Sequence, residues 1–282
     1  MFSTINNLTL HCTLKGNKSG DTLIFINSLG SDWRIWDKVA QPFLATHRVL
    51  RYDKRGHGLS EAPPAPYTMR DHAADLLGLM DALGIAQATL IGISVGGMIA
   101  QELALWQPQR VASLVLCDTG ARIGTTQSWD DRIAAVTQHG IESIADMVIA
   151  RWFTAALPAP PRAGWRNMLA RTPVAGYAGT CAALRDADFT DDMARIDVPT
   201  LVLCGDQDPS TPPALSEALR DGIGGAQMVL IENAAHLPCI EQPAAVTKEI
   251  DVFLQSKIQN LKSKMEAGMA VRRAVLGDAH VD

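Results

Sequence analysis

The stretch that most constrains this chain is Ala88-Thr89-Leu90-Ile91-Gly92-Ile93, followed at once by Ser94-Val95-Gly96-Gly97. A short, nearly continuous apolar run fits a strand buried on both faces, as in a parallel sheet with helices on either side. Val95–Trp106 then has a helical pattern, closed by Pro108. The junction between strand and helix reads G-x-S-x-G. A turn that sharp holds the serine in a strained conformation with Oγ projecting, and small neighbours let the backbone fold tightly beside it. Two glycines around a serine arise readily by chance, so the strand–turn–helix context carries the weight.

The rest of the chain repeats the same rhythm. Leu8–Leu14, Leu23–Ile26, Val49–Tyr52 and Ser113–Cys117 read as strands, with helical stretches around Trp33–Leu44 and at Asp71–Leu83. Residues 119–190 break the rhythm: they are helical in pattern, rich in Ala and Arg, and interrupted by Pro158, Pro160, Pro161 and Pro173. Thr200–Cys204, Pro212–Arg220, Gln227–Ile231 and Ala244–Gln255 then resume strand and helix in turn. The expectation is an α/β fold with a mostly parallel central sheet and helices on both faces. Its core spans 1–118 and 191–256, a helical cap spans 119–190, and 257–282 forms a charged C-terminal linker.

Charge and length narrow the partners. With 282 residues the chain can bury a sizeable core without staples. A formal net charge of −5, and no block of Lys and Arg in the body of the chain, argue against nucleic acid. No stretch approaches the roughly 18 apolar residues of a membrane span, and the N-terminus lacks the basic-then-apolar pattern of a signal peptide. The five scattered cysteines read as small apolar residues in a reducing compartment. A cytoplasmic protein is expected, with no membrane partner. No dinucleotide-binding glycine motif and no metal-type spacing of His, Cys, Asp or Glu appears, so neither cofactor nor metal is expected.

A serine hydroxyl needs a base to take its proton. Among seven histidines, His236 lies in a loop after the last apolar strand, whereas His11 and His47 fall in or beside strands, and His72 and His139 on or beside helices. His57 sits in a glycine loop and His280 in the tail. An acid should hold the imidazole tautomer. Asp208, in Gly205-Asp206-Gln207-Asp208-Pro209, is the leading candidate. Asp206 is its near neighbour, and Asp118, just past the Ser113–Cys117 strand, is a rival because a strand-end carboxylate there could also reach the histidine. The backbone N–H groups of Val95 and Leu29 are the expected oxyanion donors. The Tyr52–Ser60 loop reads as structural, with Asp53 and Arg55 bracing it. Arg151-Trp152-Phe153 offers an aromatic wall beside a cation, so Trp152 is a weak candidate for substrate contact.

Asn27-Ser28-Leu29-Gly30, Arg55-Gly56-His57-Gly58, Gly92 through Gly97, Arg151-Trp152-Phe153, Gly205 through Asp208, and His236 through Pro243 together resemble the 3-oxoadipate enol-lactonases, α/β-hydrolases of the β-ketoadipate pathway for aromatic catabolism. The resemblance covers about residues 1–256. The serine, acid and histidine motifs belong to the whole superfamily, which shares the chain order Ser, Asp, His; the Asn-Ser-Leu-Gly turn and the Arg-Trp-Phe run are more particular. It implies hydrolysis of 3-oxoadipate enol-lactone through an acyl-enzyme, with an arginine complementing the substrate carboxylate: Arg151 first, Arg132 second. The tail, Glu266 to Asp282, is similar to the opening of 4-carboxymuconolactone decarboxylase. That likeness implies the lactonase part of a fusion, with no decarboxylase activity expected of this chain. The scaffold also admits another small ester, a carbon–carbon bond, a perhydrolase reaction, or a ligand receptor without turnover.

Overall fold

A computed structural model describes residues 1–256. The similarity of the tail to a decarboxylase lies outside them. Eight strands form one sheet in the order β1-β2-β4-β3-β5-β6-β7-β8: β1 Phe2–Ile5, β2 Leu8–Gly16, β3 Thr22–Ile26, β4 Arg48–Tyr52, β5 Ala88–Ile93, β6 Val111–Cys117, β7 Thr200–Gly205 and β8 Gln227–Ile231. The pairs β1–β2 and β2–β4 are antiparallel and all later pairs are parallel. The sequence pattern does not announce β1, because Phe2–Ile5 is a short strand at the sheet edge with one buried residue. Every residue of β5 and β7 is buried, as strands covered on both faces require.

The helices are α1 Asp37–Ala40, α2 Met69–Ala82, α3 Val95–Trp106, α4 Thr126–His139, α5 Glu142–Trp152, α6 Ala159–Ala170, α7 Val174–Asp186, α8 Pro213–Gly222 and α9 Pro238–Glu241. A further helix, α10, covers 243–256. The single helix expected around Trp33–Leu44 is instead α1 flanked by 3-10 turns at Trp33–Trp36 and Pro42–Ala45. Pro42 has no N–H to continue a helical ladder. The prolines of the next segment stand where one helix gives way to the next. Pro158 and Pro173 sit at the N-caps of α6 and α7, and Pro160 and Pro161 lie in the first turn of α6, where a missing N–H costs nothing. Thr68 and Asp71 cap α2 reciprocally, each side chain bonding the other's backbone N–H.

No strand is assigned among residues 118–199; α4 to α7 occupy that stretch. Register then decides what gathers at the sheet rim. Ile26 pairs with Gly92, Ile93 with Cys117, Cys117 with Leu203, and Gly205 with Ile231. The carboxyl ends of β3, β5, β6, β7 and β8 therefore lie along one edge, where open α/β sheets place their ligands.

Candidate active site

Ser94 occupies the turn between β5 and α3 at φ 57° and ψ −122°, a conformation that costs an L-residue about 1–3 kcal/mol and persists only where the surroundings enforce it. They do so here. A Cβ on Gly92 would lie 2.2 Å from the Gly96 carbonyl oxygen, and one on Gly96 would lie 2.4 Å from that of Ile26. The Ser94 N–H donates to the Cys117 carbonyl at 3.0 Å, and the Thr119 hydroxyl donates to the Ser94 carbonyl at 2.7 Å. The end of β6 thus clamps the turn from both sides.

Past β8, Asn233-Ala234-Ala235-His236 carries the imidazole. Its Nδ1 lies 2.8 Å from Asp208 Oδ2, and both residues are buried. The same Asp208 oxygen accepts the Thr211 hydroxyl at 2.5 Å, while Oδ1 accepts the Ser210 and Thr211 N–H groups at 2.7 and 3.2 Å. Burial works against ionisation of Asp208. The facing His236 and these donors outweigh it and hold the carboxyl down at about 2. Asp208 is an anion at neutral pH, so the imidazole presents an N–H at Nδ1 and leaves Nε2 as its free nitrogen.

Asp118, the rival acid, is buried at the end of β6 with φ 41°. Its Oδ1 accepts the Gly205 N–H at 2.8 Å, and no hydrogen bond joins it to His236 among the described residues. Burial, then the adjacent Asp208 charge, push its carboxyl well above the usual range against the lowering effect of Gly205. Burial thus favours the neutral form of Asp118, and Asp208 is the charged partner of the histidine. Asp206 does something else: its Oδ1 accepts the Ala234 N–H at 3.2 Å and steadies the histidine loop. Glu241 steadies it too, accepting the Ala235 N–H at 2.8 Å through Oε2 and the Thr154 N–H and hydroxyl at 2.9 and 2.7 Å through Oε1.

Ser94 and His236 open on one cavity of about 190 Å³, whose wall includes Leu29, Trp129, Arg132, Arg151, Trp152 and Tyr177. That volume is below the usual range for drug-sized ligands. No hydrogen bond joins Ser94 Oγ to His236 among those of the described residues, and in an unliganded site such contacts commonly tighten only with substrate bound. The amide N–H groups of Leu29 and Val95 are also absent from those hydrogen bonds. Val95 opens α3, a helix whose first amides carry partial positive charge. Trp152 is buried, and its carbonyl accepts the Leu237 N–H at 3.1 Å, tying the helical layer to the histidine loop. Arg151 is exposed. Arg132 is half-buried; it donates to the Tyr177 hydroxyl at 3.1 Å and stands 5.8 Å from the centre of the Trp129 ring.

Asp53 and Arg55 brace the Tyr52–Ser60 loop. Asp53 accepts the Trp33 and Leu59 N–H groups, both at 3.0 Å, and Arg55 pairs with Asp75 at 2.6 Å. His57 Nε2 accepts the Gly30 N–H at 3.0 Å while its Nδ1 faces the Arg55 carbonyl at 3.1 Å. Burial lowers the His57 pKa well below the ordinary value, which suits an acceptor nitrogen. Sequence reasoning misses Thr211, Glu241 and Lys54, and only the Glu-Gln-Pro run after His236 signals one of them.

Local spacing suggests no metal, yet the fold brings ligand atoms of Asp118, Cys204 and Asp208 within 4.8 Å of one another. Their oxygens are largely taken: Asp208 by four donors and Asp118 Oδ1 by Gly205. Burial also raises the Cys204 thiol, away from the thiolate a metal needs. A cation would have to compete with the donors that Asp208 already holds.

A family model described as "alpha/beta hydrolase fold" matches residues 21–243. The chain is 34% identical to 3-oxoadipate enol-lactonase 2 of Acinetobacter baylyi, over 89% of this chain and 95% of that one. A crystal structure of the enol-lactonase from Burkholderia xenovorans superposes with a TM-score of 0.88 at 36% identity, covering 90% of this chain and all of that one. That of a hydrolase from Pseudomonas aeruginosa gives 0.87 at 39% identity, covering 90% and 97%. No helix of the described residues is long and apolar enough to cross a membrane. With a serine turn and a histidine–aspartate pair on the rim of such a sheet, the chain belongs to the α/β-hydrolase family and is a hydrolase.

Proposed function

We propose that the chain opens a small lactone, 3-oxoadipate enol-lactone, by acyl transfer to Ser94. The observation that carries this reading is the Asp208–His236 bond at 2.8 Å on the cavity that Ser94 also enters. Nδ1 is committed to an ionised carboxylate, so Nε2 accepts the Ser94 proton as Oγ attacks the lactone carbonyl. The oxyanion then rests on the Leu29 and Val95 amides. Collapse breaks the ring C–O bond and leaves an ester on Ser94, while the enol oxygen, still part of the same acyl chain, takes the proton from His236 and tautomerises to the ketone. Water attacks the ester with His236 again as base, and Ser94 regains its proton as 3-oxoadipate departs.

The enol-lactonase relatives and the small cavity support this substrate over bulkier esters. The lactone carries a carboxylate. Of the two candidate arginines, Arg132 suits it better, since it is held over Trp129 by Tyr177 and forms no ion pair among the described residues, whereas Arg151 is exposed. The place of the reaction is the β-ketoadipate pathway, in the cytoplasm. The test follows loss of enol-lactone absorbance in the ultraviolet with the native chain and Ser94→Ala. The native chain should turn over, and the variant should lose at least about 10³-fold in kcat. Equal rates would remove the mechanism. A native chain inert on the enol-lactone but active on another ester would remove only the substrate.

A further inference from the structure

Beneath the loop that follows β3 lies a lysine that the mechanism above does not use. Lys54 is 1% exposed. Its Nζ donates to the Ser28 carbonyl at 2.6 Å and to the Asn27 carbonyl at 3.4 Å. It forms no ion pair among the described residues, and burial lowers its pKa well below the ordinary value, although Asp53 and Asp32 nearby act the other way. An ammonium at that depth is costly to keep, because two main-chain carbonyls return little of its lost hydration. Nor does the Ser28 oxygen need it, since the Ser31 hydroxyl and N–H already reach that oxygen at 2.9 and 3.3 Å. An apolar side chain of equal length would fill the same volume.

What the lysine does reach is one end of a particular peptide group. The Ser28 carbonyl and the Leu29 N–H share a planar trans amide, in which C=O and N–H point in opposite directions. A donor on the oxygen draws electron density from the nitrogen and strengthens the N–H as a donor in its turn. Leu29 lines the cavity with Ser94. We propose that Lys54 is a positioning residue for the oxyanion site: by donating to the Ser28 oxygen it fixes and polarises the amide whose N–H receives the developing negative charge. The inference rests on the serine reading above, but not on the choice of lactone.

A strengthened N–H acts most on a full negative charge, so the effect falls on the transition state and not on the bound ester. Lys54→Met keeps the length and removes the donor. With p-nitrophenyl acetate, kcat should fall about tenfold while KM stays within about twofold. Phenylboronic acid, whose tetrahedral adduct with serine places an oxygen in the oxyanion site, should bind more weakly by a similar factor. The melting temperature should not fall. Lys54→Gln, which retains an N–H donor without the charge, gives the same readings at reduced size if methionine is not tolerated.

Unchanged kcat and boronate affinity would make the lysine a space filler and overturn the proposal. So would a fall in kcat with boronate affinity intact, or failure of both variants to fold. Native protein that neither cleaves the ester nor binds the boronate removes the serine reading, and this inference with it. Native protein active on p-nitrophenyl acetate but not on the enol-lactone leaves the lysine test standing.

Discussion

Replacing Asp118 by asparagine separates two chemical states of one buried carboxyl. Asp118 is fully buried, bonded through Oδ1 to the Gly205 N–H at 2.8 Å, and grouped with Asp208 and Cys204 inside 4.8 Å. Burial and the adjacent Asp208 charge hold its pKa well above the ordinary value, so the native state keeps a proton that the unfolded chain releases above about 3.9. Native stability from this group is complete below that value, then declines as pH rises until the raised native pKa is reached. The slope is about 1.4 kcal/mol per pH unit. An amide in its place has the shape of the protonated acid and no proton to take up. Asp118→Asn should therefore gain on the native chain as pH rises above 5, by about 1.4 kcal/mol for each pH unit that lies below the raised native pKa. Urea unfolding of both proteins at pH 5 and pH 7 reads the difference. A difference that does not move with pH would mean that Asp118 is ionised in the fold, and the reasoning would fail. Activity gives a second reading. Since His236 bonds Asp208, kcat/KM should stay within a few-fold; were Asp118 the catalytic acid, the loss would approach about 10⁴.

Other substitutions test the turn and the cleft. Gly96→Ala places a Cβ 2.4 Å from the Ile26 carbonyl oxygen, and since backbone cannot yield as a side chain does, thermal unfolding should show a loss of about 1–3 kcal/mol or more; a melting point equal to that of the native chain would contradict it. Arg132→Met should raise KM for the carboxylated enol-lactone by about 10- to 100-fold, the worth of a charge-assisted hydrogen bond, while p-nitrophenyl acetate, which has no carboxylate, is hydrolysed at the native rate. Equal effects on the two substrates would show that Arg132 holds the fold of the cleft and not the substrate.

The element pattern is legible because it is written locally. Ala88–Ile93 reads as a fully buried strand from six consecutive residues, and Val95–Trp106 as a helix from its periodicity and Pro108. Alternation of such segments implies the sheet, and the strand–turn–helix context singles out Ser94. A misreading is local as well: a continuous helix over Trp33–Leu44 ignores the missing N–H of Pro42. The prolines read as breaks between 158 and 173 do stand where one helix gives way to the next, in the capping and first-turn positions that suit them.

By itself, the sequence determined the α/β architecture, the family resemblance, and a short list of side chains: one serine, one loop histidine, two strand-end acids and two arginines. Only the tertiary structure decided among them. The sequence ranks Asp208 ahead of Asp118, yet each is a carboxylate past an apolar strand; sheet order and register bring Asp208 to the imidazole and leave Asp118 dry beside it. Arg132 stands against Tyr177 while Arg151 faces solvent because of how α4, α5 and α7 pack. Lys54 gave no signal in one dimension, since the carbonyls it reaches lie 26 and 27 residues away in the chain. Periodicity reports burial along one element; which charge meets which depends on distances between elements, and those exist only once the chain has folded.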